Sequence, residues 1–199
     1  GMAKQGLIPV FAVYSSFLQR GFDMLIHDIS LDKLHAVFCV DRAGLVGADG
    51  QTHHGCFDPA YLTQIPGMTV LCPASFAELR DMLRYAICQV SGPVAIRYPR
   101  CGERDYTAAS DPVRCYITLQ DGADFTILSY GILINEALKA AELLAEKGIS
   151  VRVIKLNRIA PLSEADVASM LSGTRRLLVL EDCIAAGCVG EKVSCLAAL

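Results

Sequence analysis

The feature that most limits the fold of this chain is a recurrence of short, uninterrupted apolar runs, each followed by a segment with helical spacing. Leu7 to Val13, Ala36 to Val40, Met68 to Cys72 and Gly92 to Arg97 read as buried strands, because parallel strands covered on both faces lack the polar alternation of a half-exposed sheet. Between them, Phe17 to about Leu31 reads as a helix with Phe17, Phe22, Leu25 and Ile29 roughly along one face and Ser15 or Ser16 as its cap. Ser75-Phe-Ala-Glu78 has the capping-box spacing that opens a helix running to about Val90. A strand, a helix and another strand in succession predict parallel pairing with right-handed crossovers.

From Cys101 to Ala123 the pattern dissolves into polar and turn residues, which reads as a linker. A second unit follows, with strands at Asp124 to Ser129, Ser150 to Leu156 and Arg176 to Leu180, and a helix from Leu133 to Lys147 stopped by Gly148. Ser163-Glu-Ala-Asp166 begins a further helix, and Gly187 to Leu199 another. The fold class expected is α/β: two consecutive open, mainly parallel sheets, in domains at 1–100 and 124–199 joined by 101–123. Both units look incomplete, the second lacking a closing strand.

With 199 residues, 53 % of them hydrophobic, the chain has ample core. Part of the excess suits strands covered on both faces, and the rest suits an oligomer interface or a domain not included. A net charge of −3 gives no reason to expect nucleic acid or an anionic membrane as partner. No apolar segment approaches the ~18 residues of a membrane-spanning helix, and no signal peptide is evident. Nine cysteines, an odd number with no C-x-x-C pair, read as small packing residues in a reducing compartment rather than as disulfides or a zinc site.

The polar chemistry is concentrated in Asp41-Arg-Ala-Gly-Leu-Val-Gly-Ala-Asp-Gly-Gln-Thr-His-His-Gly55, which directly follows the apolar run 36–40. A loop at the carboxyl end of a strand lies where open α/β sheets bind ligands. Its glycines permit close approach to the main chain, and its arginine can hold a phosphate or carboxylate through paired hydrogen bonds. Cys56 adjoins this loop, as a small packing residue or a ligand neighbour.

Together with Tyr14-Ser-Ser-Phe-Leu-Gln-Arg20 and Arg97-Tyr-Pro-Arg100, in this order and spacing, the loop resembles the 1-deoxy-D-xylulose-5-phosphate synthase family, thiamine-diphosphate enzymes of the transketolase superfamily. The resemblance runs along essentially the whole chain but covers only the later part of such an enzyme. It implies a partial pyrimidine-binding domain and most of a C-terminal domain. It also implies a transferase reaction in which pyruvate and glyceraldehyde 3-phosphate give 1-deoxy-D-xylulose 5-phosphate and carbon dioxide. That product feeds isoprenoid and thiamine biosynthesis, and a cytoplasmic homodimer is the expected setting.

By the same resemblance, Phe17 stacks on the aminopyrimidine ring of thiamine diphosphate, with Tyr14 and Arg20 flanking it. Arg42 and Arg100 clamp the aldehyde phosphate, Asp49 binds an acceptor hydroxyl or orients a neighbour, and His53 shuttles a proton, a task suited to a side chain that titrates near neutrality. Taken alone, these residues have ordinary readings too: a core phenylalanine, a strand-end tyrosine, solvated arginines, a turn aspartate and loop histidines. His54 has no assigned role. His27 and His35 read as structural, and Glu136, Glu181 and Asp182 as caps or solvated acids.

The glutamate that activates the cofactor lies upstream of this segment in the family, and the Gly-Asp-Gly motif for Mg2+ and the diphosphate belongs to an amino-terminal domain. The 199 residues are therefore expected to be a fragment, or one polypeptide of a split enzyme, that needs that amino-terminal portion. Another transketolase-like enzyme, either a transketolase or a 2-oxoacid dehydrogenase β-subunit, and a non-catalytic assembly module are the alternatives. The Gly187-Cys-Val-Gly190 segment departs from the family's glycine-rich pattern.

Overall fold

The computed structural model describes residues 1–198. Its first sheet has the order β1-β2-β4-β3-β8, built from β1 (Val10–Tyr14), β2 (Ala36–Asp41), β3 (Thr69–Leu71), β4 (Pro93–Arg97) and β8 (Arg158–Ala160). The first four run parallel, as the strand–helix alternation requires, and β8 adds antiparallel to β3. The second sheet has the order β5-β7-β6-β9, from β5 (Tyr116–Gln120), β6 (Phe125–Tyr130), β7 (Val151–Leu156) and β9 (Leu177–Leu180). Here β6 pairs parallel with β7 and β9, and β5 antiparallel with β7. Two α/β sheets, each mainly parallel, are the fold class read from the sequence.

Several elements differ from that reading. The interval 101–123 contains β5, a strand hidden in a polar stretch. Its Thr118 side chain is exposed and the other four are only half-buried, so it lacks the apolar run that marks the central strands. Strand β8 is three residues long and follows β7 after a single residue; it carries the second unit into the first sheet. The helix α3 (Asp58–Leu62) was not anticipated. The segment expected as one helix from Phe17 is instead a chain of short turns: α1 (Ser15–Leu18), a 3-10 turn Gln19–Gly21, α2 (Phe22–Met24) and a π-helical turn Leu25–Ser30.

Strand β1 is also not buried. It forms the free edge of its sheet, and Val10 and Phe11 are about half exposed. Leu7, Ile8, Phe17, Met24 and Leu31 are exposed nearby, beside an apolar groove of about 480 Å³ that runs from Phe11 and Phe38 to Ile29. The helices α4 (Phe76–Cys88), α5 (Ile134–Ala145), α6 (Glu164–Leu171) and α7 (Val189–Ala197) complete the two units. Ser163 and Asp166 form the reciprocal capping box of α6. At α4 only half of one forms: Ser75 Oγ accepts from the Glu78 N–H, but the Glu78 carboxylate turns to the Ala74 N–H at 2.8 Å.

That turn has a cause in the interior. Glu78 and Lys155 are both fully buried and pair at 2.9 Å, with Tyr106 Oη donating to Glu78 at 2.9 Å. Burial pushes the Lys155 ammonium below its ordinary value, opposed by the Glu78 charge. A buried ion pair with its remaining lone pairs satisfied holds one geometry, and here it joins α4 of the first unit to β7 of the second.

Candidate functional site

The site is assembled at the carboxyl ends of β1, β2 and β4. Tyr14 ends β1, Asp41 ends β2 and Arg97 ends β4, so the parallel register delivers the three motifs to one edge. Tyr14 and Phe17 stack with ring centroids 5.3 Å apart. His53 lies 5.4 Å from the Phe17 ring and 6.2 Å from the Tyr14 ring. Arg20 stands over Phe17 at 5.9 Å. A flat, part-exposed aromatic face bounded by a histidine and an arginine can receive a heteroaromatic ring.

Arg42 adopts a left-handed backbone, φ 59°, which is uncommon for a residue with a side chain and tends to occur at functional sites. Asp41 Oδ1 accepts its backbone N–H at 2.7 Å and so holds the turn. The conformation lays the guanidinium over the Tyr14 ring, 3.7 Å from the centroid. Arg42 Nε also donates to Asp49 Oδ2 at 3.2 Å, and Arg100 Nη1 donates to Asp49 Oδ1. Asp49 thus stands between the two arginines, where a ligand oxyanion could take its place. Burial lowers the Arg42 pKa, but the Asp41 charge and hydrogen bond, with Tyr14 and Asp49, raise it overall.

All seven residues singled out in the sequence, Tyr14, Phe17, Arg20, Arg42, Asp49, His53 and Arg100, lie in this one constellation. His54 is engaged within the loop itself: its Nδ1 accepts the Val46 N–H at 2.9 Å. His27 faces Asp23 at the surface and His35 bonds the Ala86 carbonyl. Among the described residues no group of three or more His, Cys, Asp or Glu is arranged to hold a metal ion.

Two of the loop's four glycines serve a different purpose from the one expected. Gly44 and Gly55 exchange both backbone hydrogen bonds at 2.8 Å and close the loop at its neck. A Cβ on Gly55 would collide with the Arg42 carbonyl oxygen, and one on Gly44 would collide with Asp182 Oδ2. These two glycines admit other parts of the protein rather than a ligand.

Sequence reasoning missed the group beneath this neck. Arg97 is 4 % exposed; its Nε donates to Asp58 Oδ2 at 2.7 Å and its Nη2 to Asp182 Oδ1 at 2.9 Å. Burial raises the Asp58 carboxyl above its ordinary value while the Arg97 charge pulls it down. Asp182, read as a cap or solvated acid, instead pairs across the two units. Glu181 does cap: it accepts the Val189 and Gly190 N–H groups at 3.1 and 2.8 Å and the Tyr130 hydroxyl at 2.9 Å. Burial raises the Glu181 pKa, but hydrogen bonds from the Gly190 N–H, Cys183, Tyr130 and Cys188 bring it below the usual carboxylate value. Glu136 pairs with Arg104 at the surface. Cys39, Cys72 and Cys115 are buried packing residues, whereas Cys88, Cys101 and Cys195 are exposed.

The family described as "Transketolase, pyrimidine binding domain" matches residues 1–102, and that described as "Transketolase, C-terminal domain" matches residues 116–199. The chain belongs to the transketolase family. Among curated relatives of this family, 1-deoxy-D-xylulose-5-phosphate synthases from Halalkalibacterium halodurans and Clostridium kluyveri are 43 % and 44 % identical to it over 97 % of its length. The one from Chlorobium luteolum is 40 % identical over 98 %. The chain spans 31 % of the length of each of these relatives. A solved structure described as "Split gene transketolase, inactive beta4 tetramer" superposes with a TM-score of 0.87 at 28 % identity, covering 98 % of this chain and 64 % of that one. The resemblance read from the three motifs is therefore shared along both units.

Proposed function

We propose that this chain is the portion of a thiamine-diphosphate-dependent synthase that receives the cofactor's pyrimidine ring and the acceptor aldehyde. The reaction is the condensation of pyruvate with glyceraldehyde 3-phosphate to 1-deoxy-D-xylulose 5-phosphate and carbon dioxide. The observation that carries this reading is the convergence of the seven motif residues at one sheet edge, in a family whose matched relatives bear the synthase name. The half-exposed Phe17 face, stacked on Tyr14 and continuous with an apolar groove, fits an aminopyrimidine. The chemistry the cofactor supplies when bound is stabilisation of the carbanion left when pyruvate loses carbon dioxide.

The chain's own residues bind and orient. Phe17 and Tyr14 present the apolar wall, and Arg20 borders it. The aldehyde's phosphate displaces Asp49 from Arg100 and Arg42, an exchange of one set of charge-assisted bonds for another. Asp49, once freed, accepts from an acceptor hydroxyl. His53, beside both aromatic rings, gives or takes the proton at the aldehyde oxygen. Mg2+ and the diphosphate are assigned to a complementary amino-terminal portion.

The exposed apolar face around β1 supports the need for such a complement, since patches of this kind usually mark an interaction surface. A homodimer working in the cytoplasm is the proposed setting, which suits nine unpaired cysteines. The split-gene relative, an inactive tetramer of beta chains by its description, favours a second reading for this chain taken alone: a non-catalytic homo-oligomer until its complement joins. The test is release of labelled carbon dioxide from pyruvate with thiamine diphosphate, Mg2+ and glyceraldehyde 3-phosphate. Turnover only when the chain is mixed with the amino-terminal portion is the expected result. Silence in the mixture, with binding of the two pieces verified, leaves the assembly reading standing and removes the enzymatic one.

A further inference from the structure

The loop that carries Arg42, Asp49 and His53 is closed by the Gly44–Gly55 pair, and the second unit grips that closure from beneath. Arg97 Nη2 donates both to the Gly55 carbonyl at 3.4 Å and to Asp182 Oδ1 at 2.9 Å. The Asp182 carboxylate lies against Gly44 so closely that no Cβ fits there. Two residues further on, the Ile184 N–H donates to the Cys56 carbonyl at 3.0 Å. Segment 182–184 therefore touches both sides of the neck, while Asp58 holds the other edge of the Arg97 fork.

We propose that Arg97 and Asp182 are positioning residues, and that the second unit sets the placement of the Arg42 and His53 side chains through them. Neither residue can reach substrate directly, since Arg97 is buried and Asp182 is spent on Arg97 and the neck. Their effect is geometric. A planar guanidinium with two fixed partners holds the Gly55 carbonyl in one direction, and a displacement of about 1 Å at a site that orients reactants can cost ~100-fold in rate. The consequence for catalysis rests on the synthase reading; the mechanical coupling does not.

Amide hydrogen exchange of the 199-residue chain, followed by NMR, tests the coupling without any turnover. In Asp182→Asn, and in Arg97→Lys, which keeps the charge but loses the fork, the Gly44 and Gly55 amides should exchange about tenfold or more faster, while Val153 and Ile154 in β7 stay within about twofold. Unchanged exchange at the two glycines overturns the proposal. So does a uniform rise at all four positions, which would mean that the pair only glues the units together. Should Arg97→Lys fail to fold, Asp182→Asn carries the test alone.

With the complementary portion present, Asp182→Asn should lower kcat/KM for glyceraldehyde 3-phosphate by roughly 10- to 100-fold, with pyruvate decarboxylation falling less. A loosened neck with unchanged aldehyde use overturns the positioning role. Absence of turnover in the unsubstituted mixture would instead remove the synthase reading and leave the exchange result to decide the coupling.

Discussion

Arg97 and Arg100 stand three positions apart in one motif, yet their surroundings are opposite. Arg97 is 4 % exposed and bonded to two carboxylates that belong to α3 and to the second unit; Arg100 is 43 % exposed on its side chain and shares Asp49 with Arg42. A buried charge cannot exchange its partner for water, so its bonds serve the fold. A half-exposed one can exchange its partner for a ligand at small cost. The comparison separates the part of the molecule that holds the site from the part that does its work.

Removing a partner from the buried group should have the largest effect. Asp58→Ala leaves Asp182 as the only carboxylate on Arg97, and breaking a buried pair in this way costs about 3–5 kcal/mol, which a denaturant midpoint will register. Equal stability in the variant would mean that Arg97 finds water, and the contrast with Arg100 would collapse. Arg42→Ala should reduce use of the aldehyde phosphate in the reconstituted enzyme by roughly 10- to 100-fold and reduce pyruvate decarboxylation far less. Equal losses in both steps would take Arg42 out of the clamp.

Glu181→Gln occupies the middle of the range, at about 1–2 kcal/mol for charge-assisted bonds to α7. Because the folded-state pKa of Glu181 lies below its ordinary 4.5, its contribution is present above that value and is lost as pH falls through the folded pKa. The melting temperatures of the native chain and the variant should therefore differ at pH 7 and converge below about 4.5. The smallest effect is expected from Arg100→Ala, under about 1 kcal/mol in stability. A cost near that of Asp58→Ala would show that Arg100, too, is part of the frame.

The strand runs and the three motifs were legible in the sequence because both rest on local pattern. An uninterrupted apolar run such as Ala36 to Val40 has few ways to be buried, and Tyr14, Arg42 and Arg97 fall at strand ends whose parallel order brings them together. Strands β5 and β8 escaped because their signal is not local. β5 is a half-buried edge strand, and β8 owes its strand state to pairing with β3, contributed by residues about ninety positions earlier. The broken helix after β1 escaped because Phe17, Phe22, Leu25 and Ile29 keep near-helical spacing, a local pattern that does not register the 3-10 and π turns among them.

The acids tell the same story. Ser163 and Asp166 form the box that their spacing predicts, whereas Ser75 and Glu78 have equivalent spacing and the carboxylate is drawn away by Lys155 and Tyr106. Sequence alone determined two α/β sheets and the location of the polar loop, and its resemblance to a known family picked out the seven residues gathered around it, because hydrophobic period and motif order are properties of neighbouring residues. Only the tertiary structure decided that Gly44 and Gly55 close a neck, that Asp182 reaches across to Arg97, and that Asp49 stands between two arginines. All three depend on which distant groups the fold brings within reach, and for Arg97 and Asp182 the dry interior adds that an unpaired charge is too costly to leave.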